Sequence, residues 1–460
     1  MPRPSFLARI VQSFTRRAPA PGGRRILEAA SGRRFDRTPA FGATAQEVLA
    51  GGPLVRGRAR HLRMNDPHAS NAASIYRVGL VGYGVTPASP DSEAVAAFIE
   101  WAGDTGFATL QGEVADALTT DGEALLIFRT DDSGRLRLQH VPAEQLDESL
   151  TVDLSGGGYI AGGVEFDTDD QAVAYHFRPA RPTDQFQTYS PATRIPAADV
   201  IHLYRRLGAG QTRGLSMFAP VILALNEHSQ LADANLVTAK IQAMLTAFLI
   251  DLNGTGAGGP FSDATSGNPF DELSLEPGTM RVLPPGYDVR FSTPQQMHAS
   301  VDLMGVSLRA IAAGLQIPEF LLSGDMRGVN YSSARTALVQ FRQHLEALQH
   351  TLLVPSFFGP IWRRWHLLET LRGTFPMGEA PPVEWHFPAP PWVDPLKDAE
   401  ATALLIDRGL ISRRMAVAAL GYSVDALDTE IAADRAREKA LGLAFPTSPV
   451  NPRPEPEEGD

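Results

Sequence analysis

Residues 202–220 read HLYRRLGAGQTRGLSMFAP: the end of an alternating run, glycines at 208, 210 and 214, then an apolar helix-forming sequence from Leu215. Two readings compete for this stretch. A phosphate-binding loop would need a lysine and a hydroxyl directly after its last glycine, to reach phosphate and Mg²⁺. Leu215 stands where that lysine belongs, and the preceding strand alternates, with Ile201 and Leu203 on one face, instead of running apolar throughout. The stretch is therefore read as a turn from strand into helix, with glycine permitting the bend.

The sequence changes character on either side of that turn. From Leu215 to Ile250 there is no glycine, one proline (Pro220), and only Glu227, Asp233 and Lys240 carry charge. That pattern predicts one long helix, about 50 Å if unbroken at 1.5 Å per residue. A glycine- and proline-rich excursion with one or two short strands follows. A second helix is predicted from about Gln296 to Leu315, and a third from Ser332 to Leu353. Two long helices around a compact excursion form a projection, and helices this apolar must bury their sides. One chain supplies too little cover, so neighbouring copies are expected to provide it.

Upstream, Asn65 or Asp66 caps a short helix ending near Gly79 or Gly82, and helices follow over Pro90–Trp101 and up to Gly122. EALLIFRTD (123–131), GRLRLQHVP (134–142) and IPAADVIHLYR (195–205) read as strands, and GGVEFDTDDQAVAYHFRP (162–179) as a hairpin around an acidic turn. The class is α+β, with a mixed α/β body. Residues 355–394 are rich in aromatics and proline. Those from 395 read as two or three amphipathic helices, and 445–460 as an acidic, disordered tail.

Composition narrows the function. The 460 residues are 43% hydrophobic and 20% charged, an ordinary globular balance. With no cysteine, disulfides, thiolate metal sites and cysteine nucleophiles are excluded. No stretch reaches the roughly 18 continuous apolar residues of a membrane span. FLARIVQSF (6–14) is followed by Arg16 and Arg17 with no cleavage site, so no secretion signal is expected. Thirteen arginines precede Asp66 against Glu28, Asp36 and Glu47, which leaves +10 there and −21 over the rest of a chain of net charge −11. Residues 1–63 are read as a largely extended basic arm, able to touch polyanions or acidic partner surfaces.

No enzymatic constellation emerges. The eleven histidines never adopt metal-binding spacing, and His344 and His350 fall on different helix faces. Gly-x-Ser-x-Gly is absent, and Ser332 and Ser333 in NYSSAR (330–335) sit where a helix should begin, which suits N-capping. LIDRGLISRRMAVAALGYSVDALDTEI (405–431) resembles a helix-turn-helix with Arg408, Arg413 and Arg414 available to phosphates. Its acidic flanks favour a plain helical hairpin with a core of Leu404, Leu405, Met415 and Leu420.

Four motifs, GGVEFDTDDQAVAYHF, IPAADVIHLYRRLGAGQTRGLSMFAPVILALNEHSQLADANLVTAK, VNYSSARTALVQFRQHL and DPLKDAEATALLIDRGLISRRMAVAALG, occur in an order and spacing that resembles the portal proteins of tailed phages, specifically the lambda-type family. The resemblance runs from about Asn71 to Leu443. It implies a ring, usually of about twelve subunits, assembled in the host cytoplasm and sited at one capsid vertex of the virion. Double-stranded DNA would pass through its channel, driven in by the terminase large subunit and ejected through the tail. Further implied partners are a head-completion or adaptor protein and the major capsid and scaffold proteins. No cofactor, metal or enzymatic activity is implied.

In that mapping residues 64–214 are the wing, 215–250 and 296–322 the two stem helices, and 251–295 the clip. Residues 323–354 become the tunnel loop and its helix, 355–394 the wing return, and 395–444 the crown. Gly210, Gln211, Arg213 and Gly214 form the wing–stem bend, with Gly214 permitting the turn and Gln211 and Arg213 tying it down. Arg327, Asn330, Lys240 and Arg309 are assigned to the DNA channel, and Ser332 or Ser333 to the cap of the tunnel helix. Scattered cations on an acidic body suit sliding without reading of base sequence. The competing expectation is a DNA-binding regulator using the basic arm and the helix pair after Asp398. An enzyme with unrecognised catalytic residues is a weaker third.

Overall fold

The computed structural model describes residues 44–179, 191–243, 247–251, 287–291, 297–388 and 395–443. Helices α1 (Thr44–Asn65) and α2 (Pro67–Val81) lead through strand β1 (Thr86–Ala88) to α3 (Ser92–Thr105) and α4 (Phe107–Thr120). Strands β2 (Glu123–Thr130) and β3 (Leu136–Val141) come next, then β4 (Val152–Asp153), β5 (Tyr159–Ala161), β6 (Val164–Phe166), β7 (Ala172–Phe177), β8 (Thr193–Pro196) and β9 (Val200–Tyr204). Helices α5 (Ile222–Ala243) and α6 (Met297–Gly314) flank β10 (Ala247–Asp251) and β11 (Tyr287–Phe291), which pair antiparallel. The chain continues through α7 (Glu319–Ser323), α8 (Tyr331–Leu348), a π-helical stretch (Gln349–Phe358) and α9 (Gly359–Leu371). It ends in β12 (Glu384–His386), α10 (Pro395–Asp407), α11 (Arg413–Ala419) and α12 (Val424–Leu441).

The apolar run after Gly122 explains the centre of the body. As β2 it lies between β3 and β9 in an antiparallel sheet, and period-two alternation sends its side chains to opposite faces. Ala124 and Leu126 enter the main core. Leu125 and Ile127 enter a smaller one with Val141, Leu146, Val164, Tyr175 and Phe177, beneath the five-stranded sheet β4-β5-β6-β7-β8. Both faces are covered from Ala124 to Ile127, so that part of the strand is apolar without alternation. The main core is aromatic: Phe98 has Trp101, Phe107, Trp362, Trp365 and Trp385 with ring centroids 5.0 to 5.9 Å away. The aromatic stretch after residue 355 thus returns to pack on α3. Pro355 lies inside the π-helical segment that leads there; lacking an N–H and crowding the preceding turn, it disturbs regular α-helical bonding.

Several expectations need correcting. The extended arm does not reach residue 63: Thr44–Asn65 is a helix with Val48, Ala59 and Leu62 buried. Its arginines 56, 60 and 63 fall on one helical face by their four- and three-residue spacing, and that face meets acidic groups of the body. Arg56 pairs with Glu123 and Glu148, Arg60 with Asp121 and Glu144, and Arg63 with Asp116. All three cations are engaged by the body's own carboxylates, Arg56 buried and Arg60 and Arg63 partly exposed. Residues 1–43, and with them the remaining arm and the stretch 6–14 where no secretion signal is expected, lie outside the described residues, as do the acidic tail and most of the excursion between β10 and β11.

The first long helix is shorter than expected. It starts at Ile222 because Ser216–Val221 is held in tight turns by Ala219 N–H to the Ser216 carbonyl and Val221 N–H to the Phe218 carbonyl. The residue before Pro220 is also biased away from helix. At 22 residues it spans about 33 Å, and Ala247–Asp251, expected in the same helix, is a strand. The second long helix ends at Gly314. In the C-terminal hairpin, Leu404, Leu405, Met415 and Leu420 do not form the expected core: the first three are exposed, and Ala416 and Val417 are the buried residues.

Candidate functional site

The turn after β9 is organised by a buried carboxylate that the sequence reading did not single out. Glu123, at the first position of β2, is 1% exposed and accepts hydrogen bonds from four residues. Arg213 donates from Nε (3.0 Å) and Nη2 (2.5 Å), Arg56 from Nη1 (3.1 Å), and the Gly214 amide at 2.9 Å, while His202 Nε2 lies 2.9 Å away. Arg213 spends its other donors on the Gly162 and Ala143 carbonyls and on Glu148. Burial pushes the Glu123 carboxyl up, but the Arg213 guanidinium and the His202 bond outweigh it and hold the group well below its ordinary 4.5. Burial depresses His202, which favours neutral imidazole. Two arginines against two glutamates leave the cluster charge-balanced, the condition for burying ions.

Gln211 stitches the turn itself. Its Oε1 accepts the Leu207 amide at 2.7 Å, its Nε2 donates to the Arg213 carbonyl at 2.7 Å, and Tyr204 OH donates to its carbonyl at 2.9 Å. Gly210 sits at φ 73°, where glycine is favoured. Gly214 corrects the expectation: its φ is not in the left-handed region, but a Cβ there would lie 2.2 Å from the Gly122 carbonyl oxygen. It is needed for close backbone approach, not for turning. The space beside the cluster, about 10 Å³, admits no more than a water. This is a structural joint that binds together α1, β2, the 143–163 region and the segment 211–214 leading towards α5.

The loop before α8 is built differently. Gly324 (φ 70°) ends α7, and Gly328 (φ 78°) lies four residues on; neither has a neighbour where a Cβ would be. Between them Asp325 accepts the Arg327 amide (2.9 Å), Nε (3.0 Å) and Nη2 (2.8 Å). Arg327 is 91% exposed. The cap of α8 is Asn330, whose side chain accepts the Ser333 amide at 2.8 Å. Ser332 and Ser333 are thus first-turn residues and not the cap, because the cap must keep extended backbone, as Asn330 does at φ −97°, ψ 160°.

Lys240 and Arg309 are exposed on α5 and α6, and neither is paired with a carboxylate among the described residues. The structure gathers the four bend residues into one turn, whereas Lys240 stands on α5, Arg309 on α6, and Arg327 and Asn330 share the loop before α8. Arg56, Glu148 and His202 were missed with Glu123. The readable signal was a lone charge heading an apolar strand. No group of three His, Asp or Glu placed to hold a metal occurs among the described residues, and no helix there is long and apolar enough to cross a membrane.

Comparison with known proteins agrees with the motif order. Residues 31–349 match the model of the family described as phage portal protein, lambda family. The "Probable portal protein" of Halomonas phage phiHAP-1 is 26% identical over 430 residues, covering 85% of this chain and 82% of that one. Among solved structures, a chain of the neck of an empty gene transfer agent particle aligns at TM-score 0.48 and 14% identity, over 79% of this chain and 93% of its own. An HK97-family phage portal protein from Corynebacterium diphtheriae aligns at 0.32 and 12%, over 75% and 98%. The DNA-binding regulator finds no support here; its Arg413 is already paired with Asp428 and Arg414 with Glu384. With well over half of its length matched by the family model, the chain belongs to the lambda family of phage portal proteins.

Proposed function

We propose that copies of this chain form a ring, expected to hold about twelve, at a capsid vertex of a virion, with DNA passing through a central channel. In this reading the α/β body is the wing, α5 and α6 are the stem, and β10 and β11 belong to the clip that meets terminase and later an adaptor. The loop 324–330 faces the channel, and α10–α12 form the crown. The role is structural and not enzymatic.

One observation carries the proposal. Helices α5 and α6 pack on each other, joined by Asn235 Nδ2 to Met304 Sδ at 3.2 Å. Even so, Leu223, Leu236 and Val237 on α5 and Leu303 and Val306 on α6 remain exposed. Apolar side chains left uncovered on both partners of a helix pair call for a further surface, and a second α5–α6 pair from a sister copy offers the same chemistry. The acidic balance of the body supports passage over gripping, since every phosphate neutralised tightens DNA binding.

Sedimentation tests the reading. The purified chain is expected as a particle of several hundred kilodaltons with a central hole in negative stain, and Leu236→Glu with Leu303→Glu is expected to reduce it to folded single chains. A wild-type chain that stays solitary on concentration overturns the proposal.

A further inference from the structure

The three cations assigned to the channel differ in one respect. Lys240 and Arg309 project from helices without a carboxylate partner among the described residues, whereas Arg327 carries its own: Asp325, two residues earlier, engages the guanidinium edge through both oxygens at 2.8 and 3.0 Å. A guanidinium presents the same two-donor edge to a carboxylate and to a phosphodiester, so the two compete for one site. Asp325 also accepts the Arg327 amide, which fixes the turn that brings side chain and counter-ion together. The pair is exposed, and exposed ion pairs are weak and readily exchanged. Gly324 and Gly328 flank the pair at positive φ, and nothing lies within 4 Å of where a Cβ would stand at either.

We propose that Asp325 is a built-in competitor for the DNA backbone: a phosphate reaches Arg327 only by displacing this carboxylate, and the carboxylate reclaims the guanidinium when the phosphate moves on. Each loop then exchanges one counter-ion for another and returns, so contact with DNA is brief and independent of base sequence. This rests on the reading that loop 324–330 lines the channel.

Asp325→Asn, Arg327→Gln and the double variant test it, each as the assembled ring, by the retention of a fluorescent double-stranded DNA across a salt series. Asparagine keeps the oxygen that accepts the Arg327 amide, so the turn persists while the competing charge goes. Asp325→Asn is expected to retain DNA several-fold more tightly, with a steeper salt dependence, by up to ~0.9 in the logarithmic slope per loop engaged. Arg327→Gln is expected to weaken retention, and the double variant to match it. If Arg327→Gln weakens binding while Asp325→Asn changes nothing, the competitor is overturned and the channel placement stands. If the double variant binds as tightly as Asp325→Asn, Asp325 acts as a plain repelling charge and the proposal is wrong. If neither single variant changes retention, the loop does not meet DNA, and both ideas fall together.

Discussion

The joint around Glu123 and the helix pair that leaves it solve opposite problems. In the joint, four ionisable side chains (Arg56, Glu123, His202 and Arg213) are buried beside a half-buried Glu148, and every one has a partner within the same chain. On α5 and α6 large apolar side chains stand exposed, and the mutual packing of the two helices does not cover them. Buried ions tolerate no missing partner, because a charge stripped of both water and counter-ion costs several kcal/mol. Exposed leucines cost far less and can wait for assembly. In the proposed ring, the contrast separates what a single copy must complete to fold from what it leaves for its neighbours.

The sharpest test of the contrast is Glu123→Gln. It strips two buried arginines of their shared counter-charge and should destabilise the subunit by ~3–5 kcal/mol, read as a lower denaturation midpoint. A loss below ~1 kcal/mol would mean that the cluster is not the joint described. Gly214→Ala comes next. The added methyl meets the Gly122 carbonyl and the Glu123 Cβ, and the strain should cost ~1–3 kcal/mol. Substitution at Gly210 to asparagine, which tolerates positive φ, should cost less.

Acid should loosen the joint before it affects the stem. Folded His202 binds its proton less readily than the unfolded chain, whose ordinary value is 6.5, so the unfolded state takes up protons first and stability falls as pH drops through that value. Glu123, depressed from 4.5, adds a further loss below that pH. Unfolding free energy measured from pH 7.5 to 4 should decline in that order, and a curve flat between 7 and 5 would count against a neutral buried His202.

At the loop, Asn330→Ala should cost ~1 kcal/mol through the lost cap, whereas Ser332→Ala should lie within ~0.5 kcal/mol of wild type. The smallest effect on a single chain is expected for Leu236→Glu, at an exposed position, although the same change is the one designed to break the ring.

Much of the fold was legible. Asp66 and Gly82 do bound α2, and the acidic turn at Asp167–Gln171 does join β6 to β7. The apolar run after Gly122 is the central strand. These succeeded because caps, turns and period-two alternation are written within a few neighbouring residues. The errors share the opposite cause. Arg56, Arg60 and Arg63 looked like part of a solvated basic arm because their acidic partners lie about fifty to ninety positions away. Gly214 looked like a turn glycine because the Gly122 backbone that excludes a side chain there belongs to a distant turn, the one that leads into β2.

The sequence by itself therefore determined the mixture of helices and sheets, the limits of α2, the strand after Gly122, the apolar helices around the glycine- and proline-rich excursion, and the family. Only the tertiary structure decided that Glu123 would gather Arg56, His202, Arg213 and the Gly214 amide, that Asn330 would cap α8, and where α5 would begin. Local conformational preference acts along the chain, whereas burial of charge and close backbone approach depend on which distant segments meet.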